Sequence, residues 1–413
     1  MHWQLATLAL ILLGFAAISG RIEGTSITAP MVFTFVGIVV GARALGLVDL
    51  EQRGEEIKLL TEATLTVVLF SDASRIDLRK LRGEAGLPAR LLGVGLPLTL
   101  VAGFVAALLI FDALAWPEAL LLAVILAPTD AALGQAVVTL TRLPSRVRQS
   151  LNVESGLNDG ICVPLFFVVL AVAQAEESGG DWRDAARLVL EELGYGVVAG
   201  AIAGTTAALV VLVAGRRGFM ASSWTQVVPL GGAALAYGIA QPIGGSGFIA
   251  AFVGGAFFGG LLRRREDGEV SYLIEEAGAL LAAVTFIVFG AVLLVPAFES
   301  VTWQVVLYAV LSLTLVRMIP VGIAMLGTGA RRPTVAFLGW FGPRGLASIV
   351  FALLLVEGGG LPNDDLILVV TFVAVGLSVF AHGISAAPLA GRYADWFNAH
   401  PRPGQTPIEG EGG

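Results

Sequence analysis

Charge is the scarcest ingredient of this chain. Only 14% of its residues are Asp, Glu, Lys or Arg and 56% are hydrophobic, whereas soluble domains run near a quarter charged. With a mean hydropathy of +0.84, a water-soluble globule is excluded, and the chain reads as a polytopic membrane protein. A single cysteine, Cys162, rules out an intrachain disulfide and any multi-cysteine metal site. It reads as a small buried filler. The three histidines, His2, His382 and His400, are scattered and form no His-Asp-Glu cluster with ligand spacing, so no cofactor and no catalytic metal are expected. The opening MHWQLATLALILLGFAAISG lacks the basic start of a cleavable signal and reads as a retained first span. Pro and Gly crowd only beyond residue 400, so 401–413 reads as a disordered cytoplasmic tail after a single membrane domain over 1–400. Nothing points to nucleic acid or to a soluble partner.

What is present is a series of apolar runs near span length. They fall at roughly 4–20, 27–47, 57–73, 88–111, 117–140, 147–174, 185–214, 224–241, 245–262, 270–295, 303–327, 333–356 and 364–391, about thirteen spans in all. The stretch GIAQPIGGSGFIA is open to a tight turn, a break or one interrupted helix. With the N-terminus outside, the inner loops carry Arg21; Arg75, Arg79, Lys80, Arg82 and Arg90; Arg142, Arg146 and Arg148; Arg216 and Arg217; Arg263 to Arg265; Arg331 and Arg332; and Arg392 and Arg402. The outer side keeps Arg43, Arg53, Lys58, Arg183 and Arg187. That bias predicts N-out and C-in. Trp3, Trp116, Trp182, Trp224 and Trp303 fall at span ends, as interfacial anchors do.

An odd span count with a connecting seventh helix predicts inverted six-helix repeats, spans one to six against eight to thirteen. Matching spans are interrupted in both halves, the fifth by Ala127-Pro128-Thr129-Asp130 and the twelfth by Gly342-Pro343-Arg344-Gly345. Paired breaks of this kind point to a midplane substrate site. Half-helix ends carry partial charges, which one anion and one cation, here Asp130 and Arg344, are suited to offset.

Further buried charge lies in Leu151–Leu170, LNVESGLNDGICVPLFFVVL, and at Arg317 in LVRMIPV. Glu154 and Asn158 share one helical face, and Ser155 and Asp159 repeat that spacing around the helix. An intramembrane carboxylate costs several kcal/mol and is by default a candidate for ion or proton handling. The buried ionisable groups are then Asp130, Glu154 and Asp159 against Arg344 and Arg317. Arginine stays charged and prefers a carboxylate partner, so Glu154, off the Asp159 stripe, is assigned to a structural ion pair. Asp159 is left to exchange a proton for a small hard cation, which favours oxygen ligands. Ser155 and Thr129 can supply them.

These stretches resemble a family. ESGLNDG is similar to the Asn-Asp motif of the NhaP and NHE branch of monovalent cation:proton antiporters, PTDAA to their Thr-Asp unwound helix, and WFGPRG to their W-x-G-x-R-G motif. The likeness extends over the membrane region, including ITAPMVFTFVGIVVG and LTEATLTVVLFSDASRIDL. It implies the all-α, thirteen-helix fold of these antiporters and a homodimer in which a six-helix core moves against a dimerisation domain. It implies Asp159 as the ion- and proton-binding residue, aided by Asp130, Thr129 and Ser155, with Glu154 paired to Arg344 and with Asn158 and Arg317 in support. The function implied is exchange of Na+ for H+ across a bacterial inner membrane. The family's usual proline after Asp130 is replaced by Ala131, with Pro128 upstream. Asn158 in place of a second aspartate resembles the electroneutral branch, one cation per proton. K+/H+ or Li+/H+ exchange is the nearest alternative, and sodium-coupled symport of an organic anion a remote one. An enzyme is not expected: an intramembrane aspartyl protease would show Gly-x-Gly-Asp where this chain has LND. A channel would show filter repeats or residue rings, and none is seen.

Overall fold

The computed structural model describes residues 2–400 apart from 23, 49, 51–53, 76–85, 131–132, 135–136, 138–139, 263–271 and 359. The expected disordered tail, Ala131, and the loop cations Arg53, Arg79, Lys80, Arg82 and Arg263 to Arg265 lie outside the described residues. Among the described residues the chain is helical and contains no β-strand, only an isolated bridge between Gly41 and Val48. The helices are α1 (Trp3–Ile22), α2 (Ala29–Val40), α3 (Glu55–Arg75), α4 (Gly86–Ile110), α5 (Trp116–Ile125), α6 (Ser145–Glu177) and α7 (Trp182–Arg216). There follow α8 (Val228–Ala240), α9 (Gly247–Leu262), α10 (Tyr272–Glu299), α11 (Trp303–Ala324), α12 (Arg332–Trp340), α13 (Leu346–Gly358) and α14 (Asp364–Ala399). Each predicted apolar run carries a helix. Seven of those described, α1, α4, α6, α7, α10, α11 and α14, are long and apolar enough to cross a membrane.

Local sequence explains the boundaries. Proline stands in the first turn of α2, α5, α8 and α12, where its missing N–H costs nothing and its fixed φ suits the helix. GIAQPIGGSGFIA is a tight turn: α8 ends in a short 3-10 turn over Gln241–Ile243, and Gly244 takes φ 75°, a left-handed conformation that glycine adopts without strain. Trp3, Trp116, Trp224 and Trp303 are all exposed, and all lie at helix starts or in the single turn Ser222–Thr225.

The chain divides into two compact units. The first comprises Met1–Lys58, Gly86–Asn158 and Ala283–Gly413, the second Leu59–Ala85 and Asp159–Ala282. In the second unit α9 meets its neighbours backbone to backbone. A Cβ on Gly204 of α7 would lie 2.0 Å from the carbonyl oxygen of Gly254, and one on Gly259 of α9 would lie 2.0 Å from that of Ser74 in α3. Small residues at four-residue spacing, Gly196, Gly200 and Gly204, make this approach possible, which matters where lipid supplies no hydrophobic drive between helices. Gly204→Ala should therefore destabilise the protein by about 1–3 kcal/mol. Gly194→Ala, also in α7 but with nothing within 4 Å of the added carbon, should be neutral or mildly stabilising. Thermal midpoints of the two variants in detergent give the comparison.

The first unit is gathered at one end by a cluster that includes Leu91, Val147, Leu151, Val321, Leu338, Phe341 and Ala390. It joins α4, α6, α11, α12 and α14 beside the two broken spans.

Candidate functional site

Both predicted breaks are present. Helix α5 ends at Ile125 and the chain is non-helical from Ala127 to Asp130; α12 ends at Trp340, and Phe341 to Gly345 are non-helical before α13. Pro128 and Gly342-Pro343 account for both, since proline removes an N–H and disfavours helix in the residue before it. The two breaks cross. The Asp130 N–H donates to the Pro343 carbonyl at 2.8 Å, and the Asp130 Oδ2 accepts from the Leu346 N–H at 2.9 Å. In return the Arg344 Nη1 donates to the carbonyls of Ala127 and, at 3.2 Å, Pro128, while the Ser348 hydroxyl donates to the Ile125 carbonyl at 2.8 Å. The carboxylate thus sits at the N-terminal end of α13 and the guanidinium at the C-terminal end of α5. Each offsets the partial charge of a half-helix on the other span. Gly345 allows the approach, because a Cβ there would be 2.0 Å from Asp130 Oδ2.

Against this crossing lies α6. The Asn158 amide donates to Thr129 Oγ1 at 2.6 Å, and the Ser155 hydroxyl donates to the Thr129 carbonyl at 2.7 Å and lies 3.1 Å from Thr129 Oγ1. All three contacts end on Thr129. The Asn158 Oδ1 is buried with no hydrogen-bond partner among the described residues. The group gathers the Thr129 and Ser155 hydroxyls, the Thr129 carbonyl and the Asn158 Oδ1, oxygens of the kind a hard cation favours. Asp159 follows Asn158 directly on α6, is 8% exposed, and stands four residues after Ser155, on the Ser155 stripe of the helix.

The ion pair departs from the expectation. Glu154 Oε1 lies 2.5 Å from Arg317 Nη1, with side chains 3% and 2% exposed, so its partner is Arg317 of α11 and not Arg344. The physical reason is that the carbonyls at the end of α5 occupy the Arg344 guanidinium. Arg317 moves from a supporting place to the structural pair, lying against the second break where Gly342 makes room: a Cβ there would be 2.5 Å from Arg317 Nε.

The family described as "Sodium/hydrogen exchanger, transmembrane" matches residues 6–392. The chain belongs to this sodium/hydrogen exchanger family. It is 30% identical to the Na+/H+ antiporter NhaP of Pseudomonas aeruginosa over 86% of this chain and 87% of that one. It is 25% identical to the K+/H+ antiporter NhaP of Alkalimonas amylolytica over 94% of its own length, and spans 66% of the length of that relative. The fold matches the solved structure of the sodium proton antiporter MjNhaP1 from Methanocaldococcus jannaschii at pH 8, with a TM-score of 0.75, 20% identity, and coverage of 92% of this chain and 98% of that one.

Two supports of the broken spans escaped the reading of the exchanger's sequence. Behind the second break the Arg344 N–H donates to the Ser378 hydroxyl at 2.7 Å, and that hydroxyl lies 3.1 Å from His382 Nδ1. His382 Nε2 is 3.0 Å from the Trp340 carbonyl. With Nε2 donating to that carbonyl, His382 is a brace that ties the second break to α14 through Trp340 and Arg344. The Ser378 and His382 spacing of four residues was the available signal. Glu118, in the first turn of α5 and 3% exposed, accepts from the backbone N–H groups of Ala115 at 2.9 Å and Asn363 at 3.0 Å. Its place three residues after the N-cap was the clue that marks a capping glutamate.

Proposed function

We propose that this exchanger is a secondary transporter that swaps one Na+ for one H+ by alternating access, with both ions competing for Asp159. One observation supports this above the rest: the side chains of Thr129, Ser155 and Asn158 converge, buried, on the crossing of the two breaks, and Asp159 is the next residue of the chain after Asn158. Glu154 is held by Arg317, and Asp130 and Arg344 are held by helix ends. In this reading Asp159, Ser155, Thr129 and Asp130 make the ion site, Asn158 orients Thr129, and no cofactor takes part. The chain works as a homodimer in the bacterial inner membrane, N-terminus outside and C-terminus in the cytoplasm. The domain over 1–400 is arranged as inverted repeats joined by α7.

The stoichiometry follows from the charges. A carboxylate cannot be carried through a low-dielectric barrier unpaired without a large desolvation cost, so Asp159 moves either protonated or with one monovalent cation. Both half-cycles then carry the same charge. In proteoliposomes with a pH indicator and an imposed potassium-valinomycin potential, the rate and end-point gradient should be independent of the potential. Cation affinity should weaken as pH falls, because a protonated carboxyl is a poor ligand. A rate that follows the potential would mean a second titrating group. Scanning Na+, K+ and Li+ in the same vesicles tests the cation, and a response to K+ alone would replace Na+ with K+ in this proposal.

A further inference from the structure

A cavity of about 440 Å³ lies away from the ion site, between α11, α12 and the end of α14. Its walls include Ala336, Phe337, Trp340, Tyr393 and Trp396, with Arg392 the single charged group in the lining. The polar tips of its aromatic residues are engaged: the Tyr393 hydroxyl donates to Thr334 Oγ1 at 2.9 Å and the Trp340 indole donates to the Ser385 hydroxyl at 2.9 Å. The rings pack on one another, Phe337 on Tyr393 at 4.3 Å and Tyr393 on Trp396 at 5.9 Å between centres, and the rest of the lining is aliphatic or aromatic apart from Arg392, so the interior suits hydrocarbon. The surroundings are cationic. The Arg331 guanidinium lies 4.3 Å from the centre of the Trp396 ring, Arg332 is exposed at the start of α12, and the charge of neighbouring Asp395 is offset by Arg142. The N-terminal end of α12, whose Pro333 also lines the cavity, adds partial positive charge.

An apolar, aromatic cavity beside arginines fits an amphiphile with an anionic head. Its volume falls in the range of about 300–1,000 Å³ usual for ligand sites, and basic pockets between transmembrane helices take anionic lipid headgroups. We propose that this cavity binds one acyl chain of an anionic phospholipid, with Arg392 and the start of α12 holding the headgroup phosphate. Trp340 connects the occupant to the transport machinery. Its ring lines the cavity and its carbonyl receives the His382 proton that braces the second break. A bound chain therefore packs against the residue at which α12 stops.

The test is a lipid competition that needs no transport, so its outcome is separate from that of the exchange proposal. The full-length protein, purified in detergent, is washed with equal amounts of phosphatidylglycerol and phosphatidylcholine, and retained lipid is counted by mass spectrometry. The expected result is one phosphatidylglycerol per chain, retained at least about tenfold over phosphatidylcholine, a preference equal to about 1.4 kcal/mol. Arg392→Gln should erase the preference. Ala336→Trp, which fills the cavity, should erase retention, and Leu389→Trp provides a second filling variant should the first elute as aggregate. Phosphatidylglycerol should raise the thermal midpoint of the wild type and leave that of the filled variant unmoved. Equal retention of the two lipids by the wild type, or undiminished phosphatidylglycerol on a monodisperse filled variant, overturns the proposal.

Discussion

Asp159→Asn is expected to abolish exchange while leaving a folded protein. The amide matches the carboxyl in shape and keeps hydrogen-bonding capacity at a residue only 8% exposed, so the fold should persist. Transport should not survive. An amide takes up no proton in the working range of pH and offers a cation no charge. Removing one member of a buried charge pair costs about 3–5 kcal/mol, which lowers cation affinity by a factor of at least about a hundred. The measurement is Na+-driven alkalinisation in proteoliposomes, with elution volume and melting checked on the same preparation. A well-folded variant that transports at near-normal rates would remove Asp159 from the centre of the mechanism.

Glu154→Gln should do the reverse, costing stability first. Arg317 has a side chain 2% exposed and its carboxylate partner lies 2.5 Å away. Taking away the carboxylate leaves a guanidinium in a low-dielectric interior, at a cost of about 3–5 kcal/mol. The thermal midpoint of Glu154→Gln should therefore fall well below that of Asp159→Asn. Replacing both charges removes the stranded cation, so Glu154→Gln with Arg317→Met should melt above Glu154→Gln alone. If the double variant is no more stable than the single one, the pair is not structural. Arg344→Ala addresses a different contact, the carbonyls of Ala127 and Pro128, and should not be rescued by Glu154→Gln.

Much of this arrangement is legible in the residues, and what is not shares a physical cause. Hydropathy marks the spans because lipid demands long apolar helices, and Pro128 and Pro343 mark the breaks because proline cannot donate. Asp130 and Arg344 could be matched to the broken ends on electrostatics alone. Choosing the partner of Glu154 required more. Arg317 and Arg344 are equally basic, and what separates them is the rotation of α11 and the prior engagement of Arg344 by carbonyls, both products of tertiary packing. The brace through Ser378 and His382 was hidden for the same reason: its other members, Trp340 and Arg344, come from a different span. The glycines of α7 and α9 were visible, but which neighbour each admits depends on helix crossing, which one-dimensional spacing does not carry.

The crossing of the two breaks also sets a problem for biogenesis. Leu346, whose N–H donates to the Asp130 carboxylate, is 216 residues further along the chain. At a translation rate of about 5–20 residues per second, roughly ten to forty seconds separate the two syntheses. Until then the fifth span carries an acidic side chain and the open carbonyls of a stopped helix with none of their eventual partners. Water, a transient proton or the insertion machinery must shelter that segment in the meantime. The final assembly step is correspondingly non-local, and it brings an anion and a cation into place together. A chain cut short before the twelfth span would be left with an incomplete fifth one, a concrete reason for a membrane quality-control system to recognise it.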